Sequence, residues 1–340
     1  MTPRLLITRR LPDRVLSQAL TRYDVTQRED TAALTEAEAL AALLDYDAVL
    51  PTLGDRFTAG VFAQAPAPRA RILANFGVGY NHIDVAGARA SGIVVSNTPG
   101  AVTDATADIA LTLMLMTARR AGEGERLVRS GAWTGWQPTQ MLGLHLSGKR
   151  LGIVGYGRIG KAIARRAHFG FGMVVSIFNR SPVADPGLPA RQVGSLAEAM
   201  AQDVVVVAVP GGPATRHLIG AAALAAMLPQ GILVNISRGD VIDETALIAA
   251  LQAGRIGGAG LDVYEHEPVV PDALKALENV VLLPHLGTAA LEVRESMGMM
   301  ALDNLNAFFD GREPPNWLGQ VPGGCAADRA DASGGGIWRR

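Results

Sequence analysis

Arg238, Glu267 and His285 are the residues of this chain best suited to do chemistry. An imidazole titrates near neutrality and can hand a proton to a developing alkoxide. A carboxylate on its far nitrogen fixes the tautomer and favours the protonated ring. A guanidinium holds a carboxylate through two parallel hydrogen bonds and polarises the carbonyl beside it. Together these types suit reduction of a 2-oxo acid, given a hydride donor. Residues 151 to 180, LGIVGYGRIGKAIARRAHFGFGMVVSIFNR, provide the place for one. Gly155, Gly157 and Gly160 stand at G-x-G-x-x-G spacing between an apolar strand and a helical stretch, and a second strand, VVSIF, follows. This is a βαβ unit with a phosphate turn at its first corner. The helix N-terminus, opening at Arg158 and Ile159, would present N–H groups and partial positive charge to a pyrophosphate.

The end of the second strand bears on which dinucleotide is bound. An NAD site usually has Asp or Glu there to accept from the ribose 2′-hydroxyl. Here stand Asn179, Arg180 and Ser181, with no carboxylate. A 2′-phosphate suits a cation between two small polar groups, so NADP(H) is expected over NAD(H). The alternative is a solvent-facing Arg180 and a cofactor left unselected.

These residues must be brought together by a sheet. In an open parallel sheet, ligands bind beyond the carboxyl ends of the strands. The apolar runs VVVVAVP (204 to 210), GILVNIS (231 to 237), GGAGLDV (257 to 263) and VVLLP (280 to 284) suit strands covered on both faces. With the two strands of the βαβ unit they predict about six strands. Val209 and Pro210 then end the third, Ser237, Arg238 and Gly239 the fourth, Asp262 the fifth with Glu265 and Glu267 beyond, and Pro284 and His285 the sixth. For each residue the competing explanation is structural: Arg238 bracing a turn, the two glutamates on a solvated loop, His285 as an ordinary strand-end histidine. His82, His145, His168, His217 and His266 show no metal-ligand spacing, and no metal is expected.

Before residue 100, RLLITR (4 to 9), DAVLPT (47 to 52), RILANFG (71 to 77) and IVVSN (93 to 97) read as short buried strands alternating with helical stretches such as 36 to 44. A long helix follows over roughly 103 to 120, with Thr103 or Asp104 as its N-cap. Its apolar positions cover more than one face, which suits either a central helix of the domain or one packed partly on another subunit. Residues 291 to 310 form a last amphipathic helix. The tail from about 319 is rich in Gly, Ala and charge and is expected to be disordered.

Composition sets bounds. The chain has 340 residues, enough for two domains, and nearly half are apolar. Lys plus Arg is 31 and Asp plus Glu is 32, which gives no electrostatic reason to expect nucleic acid or an acidic membrane surface. Cys325 is the only cysteine, so no intramolecular disulfide forms and a cytoplasmic setting is expected. The apolar run near the N-terminus is too short for a signal peptide, and no stretch has the length of a transmembrane helix.

The blocks LGIVGYGRIGKAIARRA, NISRGDVIDETAL, GAGLDVYEHEP and VVLLPHLGTA resemble, in this order, those of the D-isomer-specific 2-hydroxyacid dehydrogenases, and the resemblance covers about 300 residues. It implies Arg238, Glu267 and His285 as catalytic residues. It implies a Rossmann-type cofactor domain (99–287) inserted into a flavodoxin-like substrate domain (1–98 plus 288–318), both doubly wound parallel α/β sheets, with the active site in the cleft between them. The cofactor site so implied comprises Thr106, Gly155, Gly157, Arg158, Ile159, Gly160, Asn179, Arg180, Ser181, Val209, Pro210, Thr215, Ile236, Ser237, Arg238, Asp262, His285 and Gly287, with Asp108 near it. The loop NFGVGYNHID (75 to 84) resembles the substrate loop, whose amides at Val78 and Gly79 would bind the substrate carboxylate.

Family members dimerise through the cofactor domain, so a homodimer is expected. Within the family, the NRS strand end and the stretch WTGWQPTQMLG (133 to 143) resemble the glyoxylate and hydroxypyruvate reductases, in which a Trp of the neighbouring subunit lines the pocket. Trp136 is the candidate and Trp133 the second. The reading that follows is an NADPH-preferring reductase of glyoxylate and hydroxypyruvate, giving glycolate or D-glycerate. The alternatives are an NAD-dependent dehydrogenase of a bulkier D-2-hydroxy acid and a dinucleotide-binding protein like the family's transcriptional corepressors.

Overall fold

The structure is a computed structural model that describes residues 1–319. The described residues divide into two compact units, one of Met1–Val102 together with those from Ala290 to Gly319, the other of Thr103–Ala289. The tail expected to be disordered lies outside the described residues, apart from Gly319, and so does Cys325.

In the first unit, β1 (Arg4–Ile7), β2 (Asp24–Gln27), β3 (Ala48–Leu50), β4 (Ile72–Ala74) and β5 (Val94–Ser96) form one parallel sheet in the order β2-β1-β3-β4-β5. This is the flavodoxin-like order. The strand β2 is absent from the four runs read in the sequence. Its residues, DVTQ, are all partly or fully exposed at the sheet edge, so it offers no continuous apolar run. The central strands bury side chains on both faces. Leu6, Val49, Leu73 and Val95 face one core, while Leu5, Ile7, Leu50 and Ile72 face another with Leu302, Leu305 and Phe308 of the helix Leu291–Phe309. The helix Glu36–Asp45 starts at a capping box in which Thr35 and Glu38 satisfy each other's backbone N–H.

In the second unit, β6 (Arg150–Val154), β7 (Val174–Phe178), β8 (Ala190–Gln192), β9 (Val204–Val207), β10 (Ile232–Asn235), β11 (Gly258–Leu261) and β12 (Val280–Leu282) form a parallel sheet. Their order is β12-β11-β10-β9-β6-β7-β8. The sheet has seven strands, one more than the sequence predicts. The extra strand, β8, is a polar three-residue edge strand, ARQ, without the apolar run by which buried strands are read. The order reverses between β6 and β9, the switch point at which a doubly wound sheet binds dinucleotides.

Consecutive valines of β9 serve opposite faces, Val204 and Val206 one core and Val205 and Val207 the other. The helix Thr103–Ala118 packs against the helix Arg158–Phe171 and over β10 and β11. Thr103 and Asp104 lie inside its first turn rather than ahead of it, so neither is its N-cap.

Candidate active site

The turn after β6 shows why three glycines are needed. Gly155 has φ +98° and carries no room for a side chain, since a Cβ there would sit 2.8 Å from the Ala208 carbonyl. A Cβ on Gly160 would lie 2.2 Å from the Gly155 oxygen, so this glycine lets helix and strand close up. Gly157 differs from both. Its φ is −78° and nothing lies within 4 Å of its would-be Cβ. No internal contact calls for glycine at that point, whereas an approaching ligand backbone would. The helix Arg158–Phe171 begins there with no side chain capping its N-terminus, leaving the first-turn amides at Arg158, Ile159 and Gly160 to an external acceptor. The turn therefore fits a pyrophosphate.

Beside the turn, Asn179 Oδ1 accepts from the Tyr156 amide at 3.1 Å, and Asn179 Nδ2 donates to the Ser181 carbonyl at 3.0 Å. The NRS strand end is thus tied to the glycine turn. Arg180 is exposed and enters no ion pair among the described residues. Val209 is half-buried and Pro210 exposed, and the Pro210 carbonyl accepts from Thr215 Oγ1 at 2.7 Å. Thr106 is buried, and its Oγ1 donates to the Gly287 carbonyl at 3.1 Å. Asp108 is engaged with Arg166 at 2.7 Å across two helices.

The carboxyl ends of β10, β11 and β12 carry the proposed chemistry. Asn235, the polar last residue of β10, is 1% exposed. Its Oδ1 accepts from the Ser237 amide and its Nδ2 donates to the Arg238 carbonyl, both at 3.0 Å, which pins the chain through Ile236 and Ser237 to Arg238. Arg238 Nη1 donates to the Ser237 carbonyl at 2.7 Å. Burial draws the Arg238 guanidinium down from its usual value, opposed by the negative charges of Glu267 and Asp240. Arginine starts so high that it remains a cation at neutral pH.

Gly239 lies flat against the next loop. A Cβ there would fall 1.8 Å from the Tyr264 carbonyl carbon, so the loops bearing Arg238 and Glu267 touch backbone to backbone. Glu267 Oε1 accepts from the Tyr264 amide at 3.1 Å, and Oε2 lies 2.9 Å from His285 Nδ1. Burial would raise the Glu267 carboxyl. The hydrogen bond and charge of His285, the Tyr264 amide and the Arg238 charge outweigh it and hold the group below its ordinary value. Tyr264 Oη in turn donates to the Leu283 carbonyl at 2.9 Å, just ahead of His285.

His285 has φ +56°, a left-handed conformation that costs a non-glycine residue on the order of 1–3 kcal/mol. Asp262 holds it there. The His285 amide donates to the Asp262 carbonyl at 2.9 Å, and the Leu286 and Gly287 amides donate to its two carboxylate oxygens at 2.6 and 2.8 Å. Asp262 is 1% exposed. Its carboxyl is raised by burial, against the pull of the Leu286 amide, the His285 charge and the Gly287 amide. Arg238, Glu267 and His285 thus meet at one edge of one sheet. Asn235, Asp262 and Tyr264 hold them. Of these three, the sequence reading named only Asp262; the signal for Asn235 was a polar residue closing an otherwise apolar strand.

The loop over residues 75 to 84 belongs to the first unit. Asn75 Nδ2 donates to the Gly77 and Gly79 carbonyls at 2.9 and 3.0 Å, Asn97 Nδ2 donates to the Val78 carbonyl at 2.8 Å, and the Thr98 amide donates to Gly77. With these carbonyls occupied, the amides of Val78 and Gly79 have no acceptor among the described residues. Trp136 and Trp133 are 81% and 51% exposed. Among the described residues no cluster of three or more His, Cys, Asp or Glu side chains could hold a metal ion.

Residues 111–287 match the family model for the D-isomer specific 2-hydroxyacid dehydrogenase, NAD binding domain. The chain is 42% identical over 322 residues to the glyoxylate reductase of Thermococcus onnurineus, covering 93% of this chain and 95% of that one. It is 37% identical over 315 residues to the glycerate dehydrogenase of Hyphomicrobium methylovorum, covering 91% and 97%. Among solved structures it is similar to the NADPH-dependent glyoxylate/hydroxypyruvate reductase of Sinorhizobium meliloti, determined in complex with NADP and malonate. That match has a TM-score of 0.83 and 37% identity, and covers 94% of this chain and 97% of the other. A glycine turn built for a pyrophosphate, an Arg–Glu–His group at the same sheet edge and this extent of identity have one reading: the chain belongs to the D-isomer-specific 2-hydroxyacid dehydrogenase family, as a nicotinamide-dinucleotide-dependent oxidoreductase.

Proposed function

We propose that this enzyme reduces small 2-oxo acids, glyoxylate and hydroxypyruvate, to glycolate and D-glycerate, with NADPH preferred over NADH. The observation that carries the chemistry is the His285–Glu267 pair. With Nδ1 turned to the carboxylate, Nε2 is the atom left to donate a proton. The bound cofactor supplies hydride. Arg238 binds the substrate carboxylate and polarises the neighbouring carbonyl, and His285 protonates the developing alkoxide. The amides of Val78 and Gly79 are further proposed ligands of the carboxylate. The substrate assignment is supported by relatives that bear the names glyoxylate reductase and glycerate dehydrogenase. The cofactor preference is supported by Arg180 beside Asn179 and Ser181 and by the NADP complex of the Sinorhizobium meliloti enzyme.

We further propose a homodimer formed through the second unit. The helix Ala121–Arg129 buries none of its residues, and Leu115, Val128, Trp133, Trp136 and Leu142 are exposed apolar side chains along this stretch. Leu142 also lines a cavity of about 510 Å³, together with Met116, Leu144 and Val281. A second copy would cover the exposed side chains and bring Trp136 toward its partner's substrate. The single cysteine supports a cytoplasmic setting, and no helix among the described residues is long and apolar enough to cross a membrane.

One set of assays tests these readings. The protein is mixed with NADPH or NADH and glyoxylate, hydroxypyruvate, pyruvate or a longer 2-oxo acid, and absorbance of the reduced ring is followed. Fastest turnover of glyoxylate or hydroxypyruvate with NADPH is expected. Turnover of none contradicts the enzymatic reading, and a preference for NADH removes the role given to Arg180. Sedimentation equilibrium should give twice the chain mass.

A further inference from the structure

The loop after β9 reaches both loops that carry the reaction. The His217 amide donates to the Asp240 carbonyl at 2.8 Å, two residues past Arg238. The His217 ring Nε2 lies 2.8 Å from Glu265 Oε1, two residues before Glu267, and Arg216 Nη2 donates to the same oxygen at 3.1 Å. His217 holds φ +51°, the left-handed region that a histidine occupies only when its surroundings fix it there. The Glu265 side chain is only 11% exposed. Its own amide lies 3.4 Å from Glu244 Oε1, so Glu265 is held from both sides.

We propose that Glu265, gripped by Arg216 and His217, is a positioning residue for Glu267: the three form a brace that sets the acidic turn against His285 and couples it to the Arg238 loop. The connection is short. Tyr264 and Glu267 are joined by the Tyr264 amide, with Glu265 between them in the turn. A shift of Glu265 displaces that amide and with it the carboxylate facing His285 Nδ1. The Arg216–Glu265 pair is half-exposed on the arginine side, and such a pair adds little to stability. Its consequence is geometric, because both ends of the brace lead to groups that must meet one small substrate. The inference rests on the reductase reading for its kinetic consequence.

The test compares Glu265→Ala, Glu265→Gln and the double variant Arg216→Ala with His217→Ala, each also in a Glu267→Gln background. For Glu265→Ala, kcat with glyoxylate should fall by about 10- to 100-fold, the scale of a misplaced catalytic group. The KM for NADPH should change by less than roughly twofold. In the Glu267→Gln background the same substitution should cost less than about threefold, since its target is already gone. Glu265→Gln, which still accepts from Arg216, should recover part of the loss. A second readout is independent of turnover: the ring N–H proton of the His285–Glu267 pair, assigned by its loss in Glu267→Gln, should broaden or move in Glu265→Ala. Equal fold-losses in the two backgrounds, or an unchanged ring proton, overturn the brace. If Glu265→Ala fails to fold, the Arg216/His217 variant carries the same two readouts from the exposed side. A parent enzyme that reduces no 2-oxo acid defeats the functional reading instead, and the ring proton then decides the brace alone.

Discussion

His285 Nδ1 faces Glu267 Oε2 at 2.9 Å, across a separation of 18 residues. This one contact orients the ring and leaves Nε2 as the nitrogen turned away from the carboxylate. Replacing His285 by Ala removes the proposed proton donor. The expected fall in kcat is about 10²–10⁴-fold, the range for a general acid. Cofactor affinity, followed by quenching of intrinsic fluorescence, should stay close to that of the parent.

The same contact sets a pH dependence. Glu267 is pulled below its ordinary value by His285, the Tyr264 amide and Arg238 in spite of burial. A carboxyl whose folded value lies below its unfolded value near about 4.3 stabilises fully above that pH, and the contribution is lost as pH falls through the folded value. The difference in Tm between the parent and Glu267→Gln should therefore shrink as pH falls below about 4. A difference that grows on acidification contradicts this assignment.

Arg238→Lys keeps the charge but loses the planar fork. It should raise KM for the 2-oxo acid and lower kcat together, with NADPH binding little changed. Steady-state kinetics at several cofactor concentrations separates these effects. A variant that behaves like the parent leaves Arg238 as a turn brace and no more.

Arg180→Ala reports on the ribose end. A charge-assisted bond to a 2′-phosphate is worth about 1.5–3 kcal/mol, or roughly ten- to a hundred-fold in affinity. Titration should show that loss for NADPH and almost none for NADH. Equal losses for both cofactors would refute the 2′-phosphate role.

Two glycine variants should fail in opposite ways. Gly157→Ala meets open space within the chain, so Tm without cofactor should hold, while the rise in Tm on adding NADPH shrinks. Gly239→Ala drives a methyl group into the Tyr264 backbone, and overpacking of this kind costs about 1–3 kcal/mol or more. Its Tm should fall without cofactor. Thermal melts of both variants, with and without NADPH, check the contrast.

The sequence by itself determined the fold class, the glycine turn and the residues suited to chemistry. Those features are written in local pattern: continuous valine runs for doubly covered strands, glycine spacing for a turn, residue types for acid and anion binding. Edge strands β2 and β8 were illegible because their solvent-facing residues need not be apolar. Only the tertiary structure decided which imidazole nitrogen meets Glu267, that the Asp262 carboxylate is taken up by the Leu286 and Gly287 amides, and that Arg216 and His217 grip Glu265. His217 and Glu265 stand 48 positions apart in loops of no regular pattern. Their meeting follows from how parallel strands bring successive loops to one edge, and no local property of either residue records it.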